Sequence, residues 1–521
     1  MQWARRTGPC LHGPVVSEYG DGRSSGVLVH ITSLPGRYGI GDLGPHAGEF
    51  ITRIAAAGQR YWQMLPVGPV GAGNSPYSSL STFAGNPLLI SPQLLLEAGL
   101  VDGGELAAVE VPDNGHVDYP IVHHNKLALL GKAAHGFGSR SDPEMLRRFD
   151  DFTEAHGQPW LDDYCLYMAL RQVHEGGSWN VWENGLARRQ PAAVAQARAH
   201  LEQTVEAHRV IQFLFFEQWG SLRRVAADHA IELVGDLPLY VAHDSADVWA
   251  NPDLFLLDDD GHPTVVAGVP PDYFSVTGQR WGSPIFDWDE MASRNFAWWR
   301  ARVRHALALF DVLRIDHFRG IAGYWEIPAE EATAVNGQWR PGPAEKLLGS
   351  LRDDLGELPI VAEDLGKITD DVIALRDAFA LPGMRVAQFG FDKAPDATIH
   401  HPDNYPTNVW AYTGTHDNNT TKGWFWEGNP RHRVWRLKRP RRSLYRMVDG
   451  RIPWGLNEMV SRSGAMTSVF PVQDILELGA EARMNTPGVA TGNWEWRLRQ
   501  NQLTDDALDQ LHQLTRATSR S

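Results

Sequence analysis

The triplet Arg314-Ile315-Asp316 closes an apolar run, 310–316 (FDVLRID). The strand period of two puts Arg314 and Asp316 on one face and Ile315 on the other. A guanidinium beside a carboxylate favours the ionised form, which is the form a nucleophile needs. Taken alone, such a triplet is more often a plain strand-end ion pair. Glu363, however, ends a similarly apolar run, 358–363 (LPIVAE), one βα unit later. A carboxyl group among apolar strand ends and close to another carboxylate should have a raised pKa, staying protonated and able to donate its proton. One ionised and one protonated carboxyl about 5 Å apart are what cleavage of a glycosidic bond with retention requires. Asp316 is therefore read as nucleophile and Glu363 as acid/base. Asp364 falls on the opposite face and is read as structural. A third carboxylate, Asp417, sits in Thr415-His416-Asp417-Asn418, just after the run 408–412 (NVWAY). The transition state carries positive charge, and a carboxylate gripping sugar hydroxyls can hold the distorted ring, so Asp417 takes that role. His416 and His317 could bond sugar hydroxyls, although a lone His is more often a strand cap.

These groups need elements to position them. Several short apolar, β-rich runs end in polar or charged residues, and the strand candidates are 26–31, 59–65, 231–236, 310–316, 358–363, 384–389, 408–412 and 466–470. Helix-compatible segments follow them, which is the rhythm of βα units, and eight is the number a closed (β/α)8 barrel requires. Active sites of such barrels gather at the C-terminal ends of the strands. Asp236, Asp316, Glu363 and Asp417 stand at or just past those ends. The fold class is thus α/β, a (β/α)8 TIM barrel. About 165 residues part the second and third runs, too many for one crossover, so an inserted subdomain is expected over about 67–230, the largest of the insertions. Helical patterns mark it at 160–173 and 192–219. A second interruption over about 242–290 reads as loop, with turn signals at Asn251-Pro252, Asp260-Gly261 and Pro270-Pro271. With no repeat and no linker, 1–521 is read as a single decorated catalytic barrel.

Composition narrows the function. The chain of 521 residues has 63 acidic and 48 basic side chains, a net charge of −15, which disfavours nucleic acid and anionic membranes as partners. The basic run 431–442 could bind an anion, but in an acidic chain it is read as a solvated helix face without function. Cys10 and Cys165 give neither a disulfide framework nor a metal pattern, and no apolar stretch reads as a signal peptide or span, so a cytoplasmic protein is expected. No metal site is expected: His116, His123 and His124 lack an HExxH context, and Asp258-Asp259-Asp260-Gly261 lacks the remaining ligands of a calcium loop, so a tight turn is the better reading. The Gly-rich stretch 67–73 is not followed by the Lys of a phosphate cradle. The 20 Trp and 13 Tyr suit the apolar faces of sugars, but for most Trp residues core packing is the better reading.

The order GDLPLYV (235–241), RIDHFRG (314–320), AEDLG (362–366) and GTHDN (414–418) resembles the α-amylase superfamily. HITSLPGRYGIGDLG (30–44), SPYSSLSTFAGNPLLI (75–90), VAGVPPDYFSVTGQRWGSP (266–284) and EARMNTPG (481–488) narrow the likeness to amylomaltases, the 4-α-glucanotransferases of glycoside hydrolase family 77. The resemblance implies a (β/α)8 barrel with inserted subdomains and no organic cofactor. It implies transfer of α-1,4-glucan segments from a donor chain to glucose or a maltooligosaccharide acceptor by double displacement. It gives Asp316, Glu363 and Asp417 the same three roles. It also makes Arg314 and His416 sugar- and nucleophile-contacting residues, and gives Asp236 a part in shaping the site. In the same way Tyr77 would stack beside the donor sugar, Asp272, Tyr273 and Phe274 would form a loop over the acceptor side with Trp281 as a further wall, and Asn485 and Pro487 would lie near the cleft. The segment 425–449 is unusually Arg-rich and, like the stretch before Ser25, matches nothing in the family pattern.

Overall fold

The computed structural model describes residues 22–271, 275–392, 396–429 and 431–520. Its strands are β1 (Ser24–Leu28), β2 (Tyr61–Gln63), β3 (Glu232–Leu237), β4 (Val265–Val269), β5 (Gln279–Pro284), β6 (Val312–Ile315), β7 (Gly323–Pro328), β8 (Gln338–Pro341), β9 (Ile360–Ala362), β10 (Gly383–Val386), β11 (Val409–Tyr412) and β12 (Thr467–Pro471). Eight of them close into a parallel barrel in the order β1-β12-β11-β10-β9-β6-β3-β2. Each of the eight apolar runs holds one barrel strand. The run 384–389 is strand only to Val386, because Ala387–Gly390 turns into a short helix.

Side chains alternate across the barrel wall as the period of two demands. Leu233, Leu313, Ile315, Ile360 and Ala362 face outward into the main core, whereas Val234, Val312 and Val361 pack with Leu28, Met384, Trp410 and Val469 inside the barrel. Two residues further along the same strands the inward positions become Asp236, Arg314 and Glu363. The interior thus changes from apolar to charged toward its C-terminal rim. Close strand packing there depends on Gly235, since a Cβ at that position would come within 2.3 Å of the Phe310 ring.

The interval between β2 and β3 is mostly helical, with its longest helices at Tyr119–Arg140, Pro143–His156, Asp162–Val173 and Glu202–Asp228. The helical pattern read over 192–219 is two helices, Pro191–His200 and Glu202–Asp228, separated at Leu201. The segment read as loop over 242–290 contributes β4 and β5, which join β7 and β8 in an antiparallel sheet of order β5-β4-β7-β8. The acidic turn is as expected: Asp258 Oδ1 accepts from the backbone N–H of Asp260 and His262 at 2.9 and 2.8 Å. The basic run is not one solvated helix face. Its helix spans Arg439–Met447, and Arg441 is buried against Trp424 and Asp392. Trp62, Trp219, Trp249 and Trp299 are fully buried. Among the described residues no helix is long and apolar enough to cross a membrane.

Candidate active site

Strand register brings the carboxylates together. Asp236 of β3 pairs with Arg314 of β6, and Ile315 of β6 pairs with Ala362 of β9. Asp316 and Glu363 are therefore the next residues on two adjacent parallel strands, and both turn inward. The main chain stays bonded past the strand ends: Asp316 N donates to Leu237 O at 3.0 Å, and Glu363 N to Ile315 O at 3.1 Å. Arg314 Nη1 donates to both oxygens of Asp236 at 2.7 Å, while its Nη2 lies 2.9 Å from Asp316 Oδ1. One buried guanidinium thus fixes two carboxylates, and their charges hold its own pKa well above the usual Arg value against the pull of burial.

Glu363 is held by two main-chain donors. His317 N reaches Oε2 at 2.7 Å and Leu365 N reaches Oε1 at 2.9 Å. The left-handed backbone of His317, φ 54°, is the local turn that carries this first N–H. Burial pushes the Glu363 carboxyl up to about 8; the charge of Asp316 adds to this, while Arg314 and the two N–H bonds oppose it. Burial also raises Asp316, to about 6, with Asp236 and Asp417 adding to it and Arg314 opposing. The guanidinium that was expected to keep Asp316 low is thus outweighed by burial and neighbouring negative charge. Both carboxyls are thus raised, Glu363 the further of the two. Asp364 points away and is occupied: Met384 N donates to it at 2.7 Å and Arg376 at 2.5 Å.

Asp417 lies five residues beyond β11, where Asn485 Nδ2 donates to its Oδ1 at 2.6 Å and His416 Nε2 lies 3.4 Å from Oδ2. Arg483 secures the same corner by donating to Asp417 O at 2.9 Å and Asn485 O at 2.7 Å. Tyr77 joins the two sides of the rim. Its hydroxyl donates to Asp236 Oδ2 at 2.8 Å, which leaves the oxygen to accept from His416 Nε2 at 2.8 Å. The proton on His416 is thereby assigned to Nε2. A hydrogen-bonded chain results, His416, Tyr77, Asp236, Arg314 and Asp316, with Asp417 3.4 Å from its His416 end. The Tyr77 ring stacks on His416 at 5.4 Å and leans on Trp494 at 5.9 Å. Arg302 holds the loop that bears Tyr77 by donating to Thr82 Oγ1 at 2.7 Å, Pro238 O at 2.6 Å and Leu239 O at 3.0 Å.

Trp281 of β5 meets His317 edge-on at 4.8 Å and is 39% exposed, so it flanks the strand end that bears Asp316. Pro487 is exposed, two residues past Asn485. Asp272, Tyr273 and Phe274 lie outside the described residues. Sequence reasoning missed Arg302, Arg483 and Trp494, whose only signals were an Arg in a helical segment, a place inside the EARMNTPG motif and a place six residues beyond it. Among the described residues no cluster of His, Cys, Asp or Glu could hold a metal ion.

The fold is that of a (β/α)8-barrel enzyme with its charged residues gathered on the C-terminal rim. A family model for 4-alpha-glucanotransferases matches residues 29–504, and the chain belongs to this family. The 4-alpha-glucanotransferase of Thermus thermophilus is 46% identical over 96% of this chain and 99% of its own. That of Synechocystis sp. is 45% identical over 93% and 95%. Among solved structures, the amylomaltase from Streptococcus agalactiae in complex with acarbose matches with TM-score 0.90 at 35% identity, covering 96% of this chain and 100% of its own. The amylomaltase from Corynebacterium glutamicum shares the fold, with TM-score 0.75 at 19% identity over 95% and 75%. The chain is thus a glycosyltransferase with 4-alpha-glucanotransferase activity in glucan metabolism.

Proposed function

We propose that this enzyme transfers α-1,4-glucan segments from a maltooligosaccharide or starch chain to glucose or another maltooligosaccharide by a retaining double displacement. Asp316 attacks C1 of the donor sugar while Glu363 protonates the leaving glycosidic oxygen, and a covalent glucosyl-enzyme forms. The acceptor hydroxyl then returns its proton to Glu363 as it displaces Asp316. Asp417 grips ring hydroxyls as positive charge grows, and Asn485 and His416 keep its carboxylate aimed. Arg314 orients Asp316, and Tyr77 lines the donor side. The geometry that supports this reading is the pair of inward-facing carboxyls at the ends of adjacent strands β6 and β9, Asp316 held by Arg314 and Glu363 by two main-chain N–H groups. We read 1–521 as one decorated barrel, 67–230 as an inserted subdomain and 242–290 as an active-site insertion.

Transfer exceeds hydrolysis when an acceptor is bound and water is excluded, which Trp281 and the loop around 269–274 would favour. Incubation with maltotriose tests this. Transfer yields glucose and longer oligomers at a constant reducing-end count. A rising count without longer products would identify a hydrolase instead.

A further inference from the structure

The connection between β11 and β12, the one that carries Asp417, also carries the basic run that the catalytic reading leaves unused. From 431 to 446 it holds eight Lys and Arg and no Asp or Glu, so the remainder of a chain of net charge −15 is more acidic still. Arg431, Arg433, Arg436, Lys438 and Arg439 are exposed and make no ion pair among the described residues. Trp435 stands in their midst, 63% exposed, with the guanidinium carbons of Arg433 and Arg436 at 5.9 and 5.0 Å from its ring centroid.

The patch is built, not a loose tail. Arg441 is buried beneath it, stacked on Trp424 at 4.6 Å and paired with Asp392 at 3.2 Å. Arg442 ties the turn by donating to Trp435 O and Leu437 O at 2.8 and 2.9 Å. Asn429 closes it from the other side, its Nδ2 donating to Arg433 O at 2.8 Å, and His432 lies flat on Trp426 at 4.7 Å. Two of the arginines thus spend their donors on holding a turn whose other cations face solvent together. Concentrated like charge without counter-charges disfavours the folded state. An anionic ligand would relieve that cost.

We propose that this patch binds phosphate-bearing α-glucan, the indole of Trp435 taking the face of a glucosyl unit and Arg433 with Arg436 clamping a phosphate monoester. The inference rests on the proposed glucan substrate. Flat indole rings suit the C–H face of a sugar. Planar guanidiniums present paired donors that match phosphate oxygens. Neutral glucan has no use for five unpaired cations, and a general polyanion has no use for the exposed indole between them. Placed on the connection that bears Asp417, the patch would hold a decorated polymer beside the cleft without entering it.

The test compares amylopectin carrying phosphate monoesters with the same polymer after phosphatase treatment. Binding of the full-length wild type, Arg433→Ala/Arg436→Ala and Trp435→Ala is measured at low and physiological salt, with maltotriose disproportionation run on each. The double variant should bind the phosphorylated polymer about tenfold or more weakly, the scale of losing one charge-assisted hydrogen bond. It should bind the dephosphorylated polymer as wild type does, and turn over maltotriose at the wild-type rate. Trp435→Ala should weaken binding to both polymers. Equal wild-type affinity for the two polymers, undiminished binding by the double variant, heparin bound as tightly through the same residues, or self-association that the double variant abolishes would each overturn the proposal. Failure of the wild type on maltotriose would instead strike the glucan-transfer reading.

Discussion

Two buried arginines mark the two ends of the barrel, and they do opposite work. Arg314, at the C-terminal rim, faces Asp236 and Asp316. Arg520, at the N-terminal end, donates to five main-chain carbonyls, those of Ser24, Ser461, Ser463, Ala465 and Met466, at 2.6 to 3.2 Å. Arg23 joins it there, reaching Ser461 O and Ser463 O at 2.7 Å. At the lower end a guanidinium caps strand and helix ends and fastens the terminal helix, Asp505–Ala517, to the start of β1. At the upper end the same group leaves carboxyls crowded, buried or half-buried and only partly compensated. Strain of that kind is what a site for proton and charge transfer requires, and the firmly bonded lower end allows the barrel to tolerate it.

Removing the attacking group should have the largest effect at the upper end. Asp316→Asn should cut transfer from maltotriose by about 10⁴-fold or more, as loss of a nucleophile does, while the protein stays folded. Turnover near the wild-type rate would remove the basis for the contrast. Glu363→Gln should follow, with turnover lowered by about 10²-fold to 10⁴-fold and maltotriose binding nearly intact. A variant that lost binding and kept its rate would reassign Glu363 to a substrate contact.

The lower end should respond in stability alone. Arg520→Ala strips five carbonyls of their donor and should cost about 3 kcal/mol, seen as a lower melting temperature. The pH profile of the folded enzyme should not move. A shifted profile would mean that the two ends are coupled.

Protonation gives a finer contrast. In the proposed mechanism transfer needs Asp316 ionised and Glu363 protonated, so kcat/KM should form a bell falling below about pH 6 and above about pH 8. Both folded-state values lie above those of an unfolded chain, about 4. The folded protein therefore binds protons more tightly, its stability from these groups is full at low pH, and that stability is lost as pH rises through 6 and 8. Asp316→Asn should flatten this decline, and Arg520→Ala should leave its shape unchanged. A wild-type melting temperature that rose between pH 5 and 8 in step with the bell would contradict the sign.

The upper end was the more legible in the sequence. Short apolar runs located all eight barrel strands, three of them ending in a carboxylate, and the period of two placed Asp316 and Glu363 inward. What escaped were contacts made only on closure. Tyr77 is 159 residues from Asp236 and 339 from His416, and no local pattern joins them. β8 is exposed at every residue, so it lacks the alternation that would mark a half-buried strand. β4 and β5 were hidden by the turn signals around them. The pKa of Asp316 went the other way from expectation because burial on closure of the barrel, with Asp236 and Asp417 brought in from distant parts of the chain, outweighs the Arg that the sequence places beside it.

Tyr77 allows the smallest and sharpest test, because among the described residues its hydroxyl is the one hydrogen-bonded link between the Asp236–Arg314–Asp316 group and the Asp417–His416 group. Tyr77→Phe keeps the ring on His416 and Trp494 and deletes the two 2.8 Å bonds. Asp236 retains both bonds from Arg314, so the fold should lose only about 1 kcal/mol, the usual net worth of such a bond. His416 Nε2, left without its acceptor, can turn toward Asp417 Oδ2, now 3.4 Å away. That movement would pull the stabilising carboxylate off its aim. Turnover should then fall about tenfold with KM little changed, since about 1.4 kcal/mol is lost in the transition state and not in the ground state. A residue with a packing role alone would move the melting temperature and leave kcat untouched. An unchanged kcat would show that the two halves of the rim work independently, and that the hydroxyl serves the fold as Arg520 does.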